Sequence, residues 1–233
     1  MKRRGNKANL YQLFWLLVIV VLMHSLVGCE DQQGKIEEGQ NKEQPAMDGL
    51  VVAVGDSLTA GLGVAEEESY PARLETLLAG SGLHFRVVNA GISGETSSGV
   101  LARIDWILKL DPDIVILTTG ANDGLRGIDP ELVGKNIENS VKKLLDRQVI
   151  VVLAGMKMMT NLGPEYTASF NSIYPTISER YPVVFMPFFL EDVAMVKELN
   201  QEDGIHPNSS GYEVIADNIV PYIKEAIMKL NSR

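Results

Sequence analysis

The chain is short of the residues that most reactive chemistry uses. Its 233 residues include one cysteine, Cys29, and three histidines, His24, His84 and His206. A single cysteine excludes a disulfide within the molecule, and its place near the N-terminus excludes a catalytic thiol deep in a fold. Two histidines beyond residue 28 leave little from which to build a zinc centre. A basic face is missing as well. Lys2, Arg3, Arg4 and Lys7 crowd the N-terminus and no acid precedes Glu30, so setting those four cations aside takes the formal net charge from −9 to −13 for residues 29–233. So acidic a body gives no electrostatic reason to bind nucleic acid or anionic lipid headgroups. Nucleotide-binding loops are lacking too. No Gly-Lys-Ser/Thr follows the first apolar run of the body, and Gly61-Leu62-Gly63 continues as Val-Ala-Glu, against the spacing of a dinucleotide fingerprint. Nor is there a G-x-S-x-G nucleophile elbow, which disfavours an ordinary α/β-hydrolase fold.

What the sequence does contain begins with a leader. The basic stretch runs into an uninterrupted apolar segment, Leu13 to Met23, then His24-Ser25 and Leu26-Val27-Gly28-Cys29. A basic start, a short apolar run and small residues before a cut describe a secretory signal peptide over residues 1–28. The alternative is an uncleaved membrane anchor, because Leu10–Val27 comes near the roughly 18–20 residues of a spanning helix. Leu-Val-Gly-Cys resembles the lipobox of bacterial lipoproteins. That resemblance implies acylation of Cys29, which becomes the new N-terminus, and an exported protein anchored to the bacterial membrane through it. Residues 29–48 are polar and acidic with almost no large apolar side chain, the composition of a flexible tether. Residues 49–233 then read as one globular unit without internal repeats.

Within that unit strands and helices alternate. Apolar runs rich in β-branched residues occur at Leu50–Val54, Phe85–Val88, Ile114–Leu117, Val149–Leu153 and Val183–Met186. Helical spacing lies between them: Leu74, Leu77 and Leu78 behind Pro71, then Val133, Ile137, Val141 and Leu144 behind Asp129-Pro130. Tyr212, Ile215, Ile219 and Ile223 line a last helix that Pro221 is expected to bend or split. Five such runs separated by helices imply a five-stranded parallel sheet covered on both faces, a three-layer α/β/α sandwich. Sites in such sheets lie at the carboxyl ends of the strands.

Four stretches fall at those ends. Gly55-Asp56-Ser57-Leu58 follows the first strand and places Ser57 where a helix begins, so backbone N–H groups there favour developing negative charge. A serine that merely caps a helix explains the stretch in isolation. Asn89-Ala90-Gly91-Ile92-Ser93-Gly94 follows the second strand; Gly94 can aim an N–H at the site, or simply make a turn. Gly120-Ala121-Asn122-Asp123-Gly124 follows the third; Asn122 can offer an amide N–H to an oxyanion, or occupy a turn. Asp203-Gly204-Ile205-His206-Pro207 precedes the last helix, with Asp203 near enough in sequence to hold the His206 imidazole. His84 begins a strand without an acidic neighbour in sequence and reads as structural.

Together the four stretches resemble the SGNH (GDSL-type) hydrolases, whose blocks carry Ser, Gly, Asn and His in this order. The likeness spans most of residues 49–233 and is nearest the bacterial arylesterase, lysophospholipase and thioesterase I branch, with Ala121 where that branch often has glycine. The resemblance implies a flavodoxin-like sheet and hydrolysis of carboxylic esters or thioesters by Ser57, His206 and Asp203. It also implies an oxyanion hole from the N–H groups of Ser57 and Gly94 and the Asn122 amide, no cofactor, and a small-molecule or lipid ester as partner. Asp56 is expected to secure the loop rather than react, and no obligate protein partner is evident. Met156-Lys157-Met158-Met159 follows the fourth strand. Met158, Met159 and Asn161 are expected to wall an acyl-chain groove, with ordinary core packing as the alternative for the methionines. The rival functions are an SGNH esterase acting on O-acetylated carbohydrate, which predicts a polar, shallow site, and a non-enzymatic solute-binding lipoprotein. The latter gives no reason for Ser57, Asn122 and the Asp203–His206 pair to occur together on separate loops.

Overall fold

Five short runs rich in β-branched and aliphatic side chains set the centre of the molecule. A computed structural model describes residues 47–159 and 162–233. The expected signal peptide, Cys29, all but the last two residues of the tether, and Asn161 lie outside the described residues. The runs form β1 (Gly49–Gly55), β2 (Phe85–Gly91), β3 (Ile114–Thr118), β4 (Ile150–Ala154) and β5 (Val184–Met186). All pair in parallel, in the order β2-β1-β3-β4-β5. Every residue of β3 and β4 is buried, as is β1 from Val51 onward, which is why these strands read as continuous apolar runs. The edge strand β2 instead mixes buried, half-buried and exposed positions.

Among the described residues seven helices accompany the strands: α1 (Ser57–Ala60), α2 (Tyr70–Gly80), α3 (Ser97–Ile107), α4 (Ala121–Leu125), α5 (Pro130–Leu145), α6 (Pro164–Arg180) and α7 (Ser209–Asn231). Helices α2 and α7 pack together over one face of the sheet; α3, α5 and α6 pack in succession over the other. The expected three-layer α/β/α sandwich is therefore the observed one, and right-handed crossovers between parallel strands account for the division of helices. Helix α5 shows how the sequence drives each element. Asp129 accepts the N–H of Glu131, Pro130 opens the first turn, and Val133, Ile137, Val141 and Leu144 are all buried. Among the described residues no helix is long and apolar enough to cross a membrane.

Of the bend or split expected at Pro221, the split is absent: α7 runs continuously through it. Ile219 and Ile223 are fully buried on either side of it, so packing holds both turns against the sheet. Pro221 and Asp217 are exposed, so the carbonyl that proline leaves unpaired faces water rather than the core.

The strand order places the ends of β1 and β3 side by side, while the crossovers leaving them pass to opposite faces of the sheet. This is the switch point at which parallel α/β sheets open a crevice. Ser57 follows β1 and Asn122 follows β3.

Candidate active site

The nucleophile loop is built by local capping. Asp56 is the N-cap of α1, and its carboxylate accepts the N–H of Leu58 at 3.0 Å. Ser57 is the first residue of this four-residue helix and only 7 % exposed. Its Oγ lies 2.9 Å from His206 Nε2. His206 arrives from a separate loop that Asp203 folds. One carboxylate oxygen of Asp203 accepts the N–H groups of Ile205 and His206, both at 3.0 Å, and the other sits 2.6 Å from His206 Nδ1. Gln201 joins the two loops, because its Nε2 donates to Leu62 O at 2.7 Å and to Pro207 O at 2.9 Å. Serine, histidine and aspartate thus form one hydrogen-bonded chain across 149 residues of sequence.

The charges have a direction. The hydrogen bond from His206, helped by two backbone N–H groups, lowers the Asp203 carboxyl to about 2. Asp203 is therefore ionised at any working pH and holds the proton on Nδ1. Nε2 is left as the acceptor for the Ser57 hydroxyl. Asp56 moves the other way: burial raises its carboxyl to about 6, against the hydrogen bonds from Leu58 and Asn122.

Asn122 and Gly94 come from the other two loops. Asn122 lies in α4, and its Nδ2 donates to Asp56 Oδ2 at 3.1 Å, which ties the end of β3 to the nucleophile loop. Gly94 has φ of +79°, a conformation that costs a residue with a Cβ. Its turn is tied back to β1 by the Ile92 N–H on Gly55 O at 2.9 Å, and Arg126 Nη2 donates to Gly94 O at 2.9 Å. Among the described residues no acceptor takes the N–H of Ser57 or of Gly94. Orphan backbone donors are the raw material of an oxyanion hole.

Of the other residues singled out by sequence, His84 lies just before β2, where its N–H donates to Asp48 Oδ2 at 2.7 Å. Met158 is half-buried and packs against Gly124, close enough that a Cβ there would meet its sulfur. Met159 is exposed. The Met158 N–H donates to Asn171 Oδ1 at 2.9 Å, so α6 fixes this loop.

Sequence reasoning missed the groups that hold these loops. Buried Asp123 accepts the N–H of Ser97 at 2.8 Å and its hydroxyl at 2.6 Å, joining α4 to the start of α3, and Asn136 Nδ2 donates to Ser97 Oγ at 3.1 Å. Tyr174 Oη donates to Thr119 O at 2.7 Å and braces the turn before Asn122. These partners lie 26 to 55 residues apart, where spacing carries no signal. A surface groove between α5 and α6, lined among others by Lys135, Glu138, Ser169 and Arg180, contains none of the site residues. The Ser57, Ile92–Gly94, Asn122 and His206 loops meet instead at the carboxyl ends of the strands.

Residues 53–214 match the GDSL-like lipase/acylhydrolase family. Over 183 residues the chain is 37 % identical to an esterase, TesA, of Pseudomonas aeruginosa, covering 78 % of this chain and 90 % of that protein. It is 35 % identical over 173 residues to a thioesterase 1/protease 1/lysophospholipase L1 of Escherichia coli, covering 74 % of this chain and 81 % of the relative. Among solved structures, the psychrotrophic esterase EstA from Pseudoalteromonas superposes with a TM-score of 0.74 at 34 % identity, covering 77 % of this chain and 99 % of EstA.

Proposed function

Since the chain belongs to the GDSL-like lipase/acylhydrolase family, we propose that it is a serine hydrolase of carboxylic esters or thioesters working through an acyl-enzyme. The observation that carries this reading is the hydrogen-bonded chain Ser57–His206–Asp203, with its 2.9 and 2.6 Å contacts. His206 Nε2 takes the proton of Ser57 as Oγ bonds to the acyl carbon. The carbonyl π electrons move onto oxygen, where the N–H groups of Ser57 and Gly94 and the Asn122 amide stabilise the charge. Each such donor is worth on the order of 10²–10³ in turnover. The tetrahedral species collapses, and His206 returns its proton to the departing alcohol or thiol. Water then attacks the acyl-enzyme with His206 again as base, and the carboxylic acid leaves. Asp203 stays ionised and balances the imidazolium at each step.

The substrates that fit this reading are lysophospholipids, aryl esters and acyl thioesters. Met158, which packs against Gly124 of the Asn122 loop, with Met159 and Asn161, would contact the acyl chain. Export with membrane attachment through acylated Cys29 completes the proposal. It rests on the Leu-Val-Gly-Cys sequence and the basic, then apolar, segment before it.

Hydrolysis of p-nitrophenyl esters of increasing chain length by the full chain tests the function. We expect activity that Ser57→Ala abolishes, with a preference for medium over acetyl chains that Met158→Ser/Met159→Ser shifts toward shorter ones. Equal inertness of wild type and Ser57→Ala, with no labelling by a fluorophosphonate, would leave a solute-binding protein. Strict preference for acetyl esters would point to the carbohydrate O-acetylesterase, and an unshifted profile would remove the methionines from the groove.

A further inference from the structure

The turn that carries Gly94 is held from behind by an ion pair the reaction does not use. Arg103, on α3, donates from Nε to the two carboxylate oxygens of Glu95 at 2.8 and 3.0 Å, and from Nη2 to Glu95 Oε2 at 2.6 Å. The same Nη2 reaches Ala90 O at 2.7 Å and Gly55 O at 3.4 Å, near the ends of β2 and β1. One guanidinium therefore binds the residue after Gly94, the strand leading into its turn, and the strand leading to Ser57. The side chains of Arg103 and Glu95 are only 15 % and 8 % exposed, so water screens the pair little.

A second observation is independent of these distances. Gly99 lies inside α3, where glycine weakens a helix, and it has no left-handed backbone to justify it. A Cβ at Gly99 would stand 2.7 Å from Glu95 Cγ. The helix thus forgoes a side chain where the Glu95 side chain lies against it on its way to Arg103. Arg126 also grips Gly94, but through one bond from an exposed side chain.

We infer that Arg103 is a positioning residue: acting through Glu95, it holds the Gly94 N–H at the angle the developing oxyanion requires. The inference rests on the oxyanion hole proposed above. A planar guanidinium suits the task because it engages a carboxylate from two nitrogens in fixed geometry, which a lysine cannot reproduce. A donor that matters only once charge develops on oxygen affects turnover and leaves substrate binding alone.

The test is steady-state hydrolysis of a short p-nitrophenyl ester by the full chain and its Arg103→Met, Arg103→Lys, Glu95→Gln and Asn122→Ala variants. Alongside it runs the inactivation rate with a p-nitrophenyl alkylphosphonate, whose tetrahedral adduct places an oxygen in the hole. Displacing a donor by a fraction of an ångström predicts kcat falling about 10- to 100-fold in Arg103→Met and Glu95→Gln. KM should stay within about twofold, phosphonate inactivation should slow in parallel, and Arg103→Lys should lie between wild type and Arg103→Met. Thermal melts identify the variants folded at the assay temperature; should Arg103→Met not fold, the near-isosteric Glu95→Gln decides. Unchanged kcat in folded variants, with Asn122→Ala lowering it on the order of 10²-fold, overturns the inference and leaves the hole standing. If Asn122→Ala itself keeps full turnover, the reading of the site fails first.

Discussion

At the scale of single residues the two aspartates beside Ser57 and His206 behave oppositely because one is wet and the other dry. Asp203 is 45 % exposed and its hydrogen bonds dominate, whereas Asp56 is 1 % exposed and desolvation dominates. The folded Asp56 carboxyl titrates at about 6, against 3.8 for an ordinary aspartate. Between those values the folded protein holds a proton that the unfolded chain has released. The group's contribution to stability is therefore fully present below about pH 3.8 and is lost as the pH rises through about 6. At 1.36 kcal/mol per unit this amounts to on the order of 3 kcal/mol. Asp56→Asn stays neutral throughout. Relative to wild type, its unfolding free energy should rise by on the order of 3 kcal/mol between pH 3.5 and pH 7.5, read from urea titrations at the two pH values. A constant difference would mean that Asp56 is not the group desolvation perturbs. The cost above pH 6 secures a charged acceptor for Asn122 Nδ2 and so fixes the amide, whose second N–H the proposed oxyanion hole would use.

At the scale of elements, each loop of the site is braced by a neighbour rather than by its own sequence. Asp123 is the clearest case. Its carboxylate occupies the N-terminus of α3, where the helix dipole and an unsatisfied N–H both favour a negative charge, and it simultaneously fixes α4. Asp123→Asn keeps the shape and removes the charge from two hydrogen bonds. A loss of about 1.5–3 kcal/mol is expected by urea denaturation at neutral pH, since bonds to a buried charged group are worth that much. Turnover should fall with it, because Asn122 adjoins Asp123; a variant as stable as wild type would show that the charge does nothing for α3.

The same division explains what could be read in advance. The strands were legible because burial on both faces leaves near-continuous apolar runs, and the observed bounds of β3 and β5 differ from the expected ones by one residue. The residues of the hydrogen-bonded chain were legible because the site chemistry uses scarce residue types in fixed order, and only two histidines lie beyond residue 28. The bracing roles of Arg103, Asp123, Tyr174 and Asn171 were not. Each is an ordinary helix residue whose partner is known only once α3, α4 and α6 are docked. Of the two outcomes expected at Pro221, a bend or a split, the split does not occur, because the packing of Ile219 and Ile223 holds the helix continuous.

At the scale of the whole molecule, charge argues against unaided contact with lipid. Residues 29–233 carry −13, the total of −9 less the four N-terminal cations, and anionic bilayers repel such a body at distances up to a Debye length of about 8 Å at physiological salt. Access to a membrane-bound substrate then depends on the proposed acyl chain at Cys29, each buried methylene of which contributes about 0.8 kcal/mol to partitioning. The consequence is a rate difference that depends on the form of the substrate. Full chain and Cys29→Ser should hydrolyse a water-soluble short p-nitrophenyl ester equally. On lysolipid held in vesicles the anchored form should be faster by about 10-fold or more, the gain expected from confinement to the same surface. Raising salt should narrow the gap on anionic vesicles, by screening repulsion of the unanchored form, and leave it unchanged on zwitterionic ones. Equal rates on vesicles would mean that the enzyme takes its substrate from solution and that the anchor serves only to retain the protein.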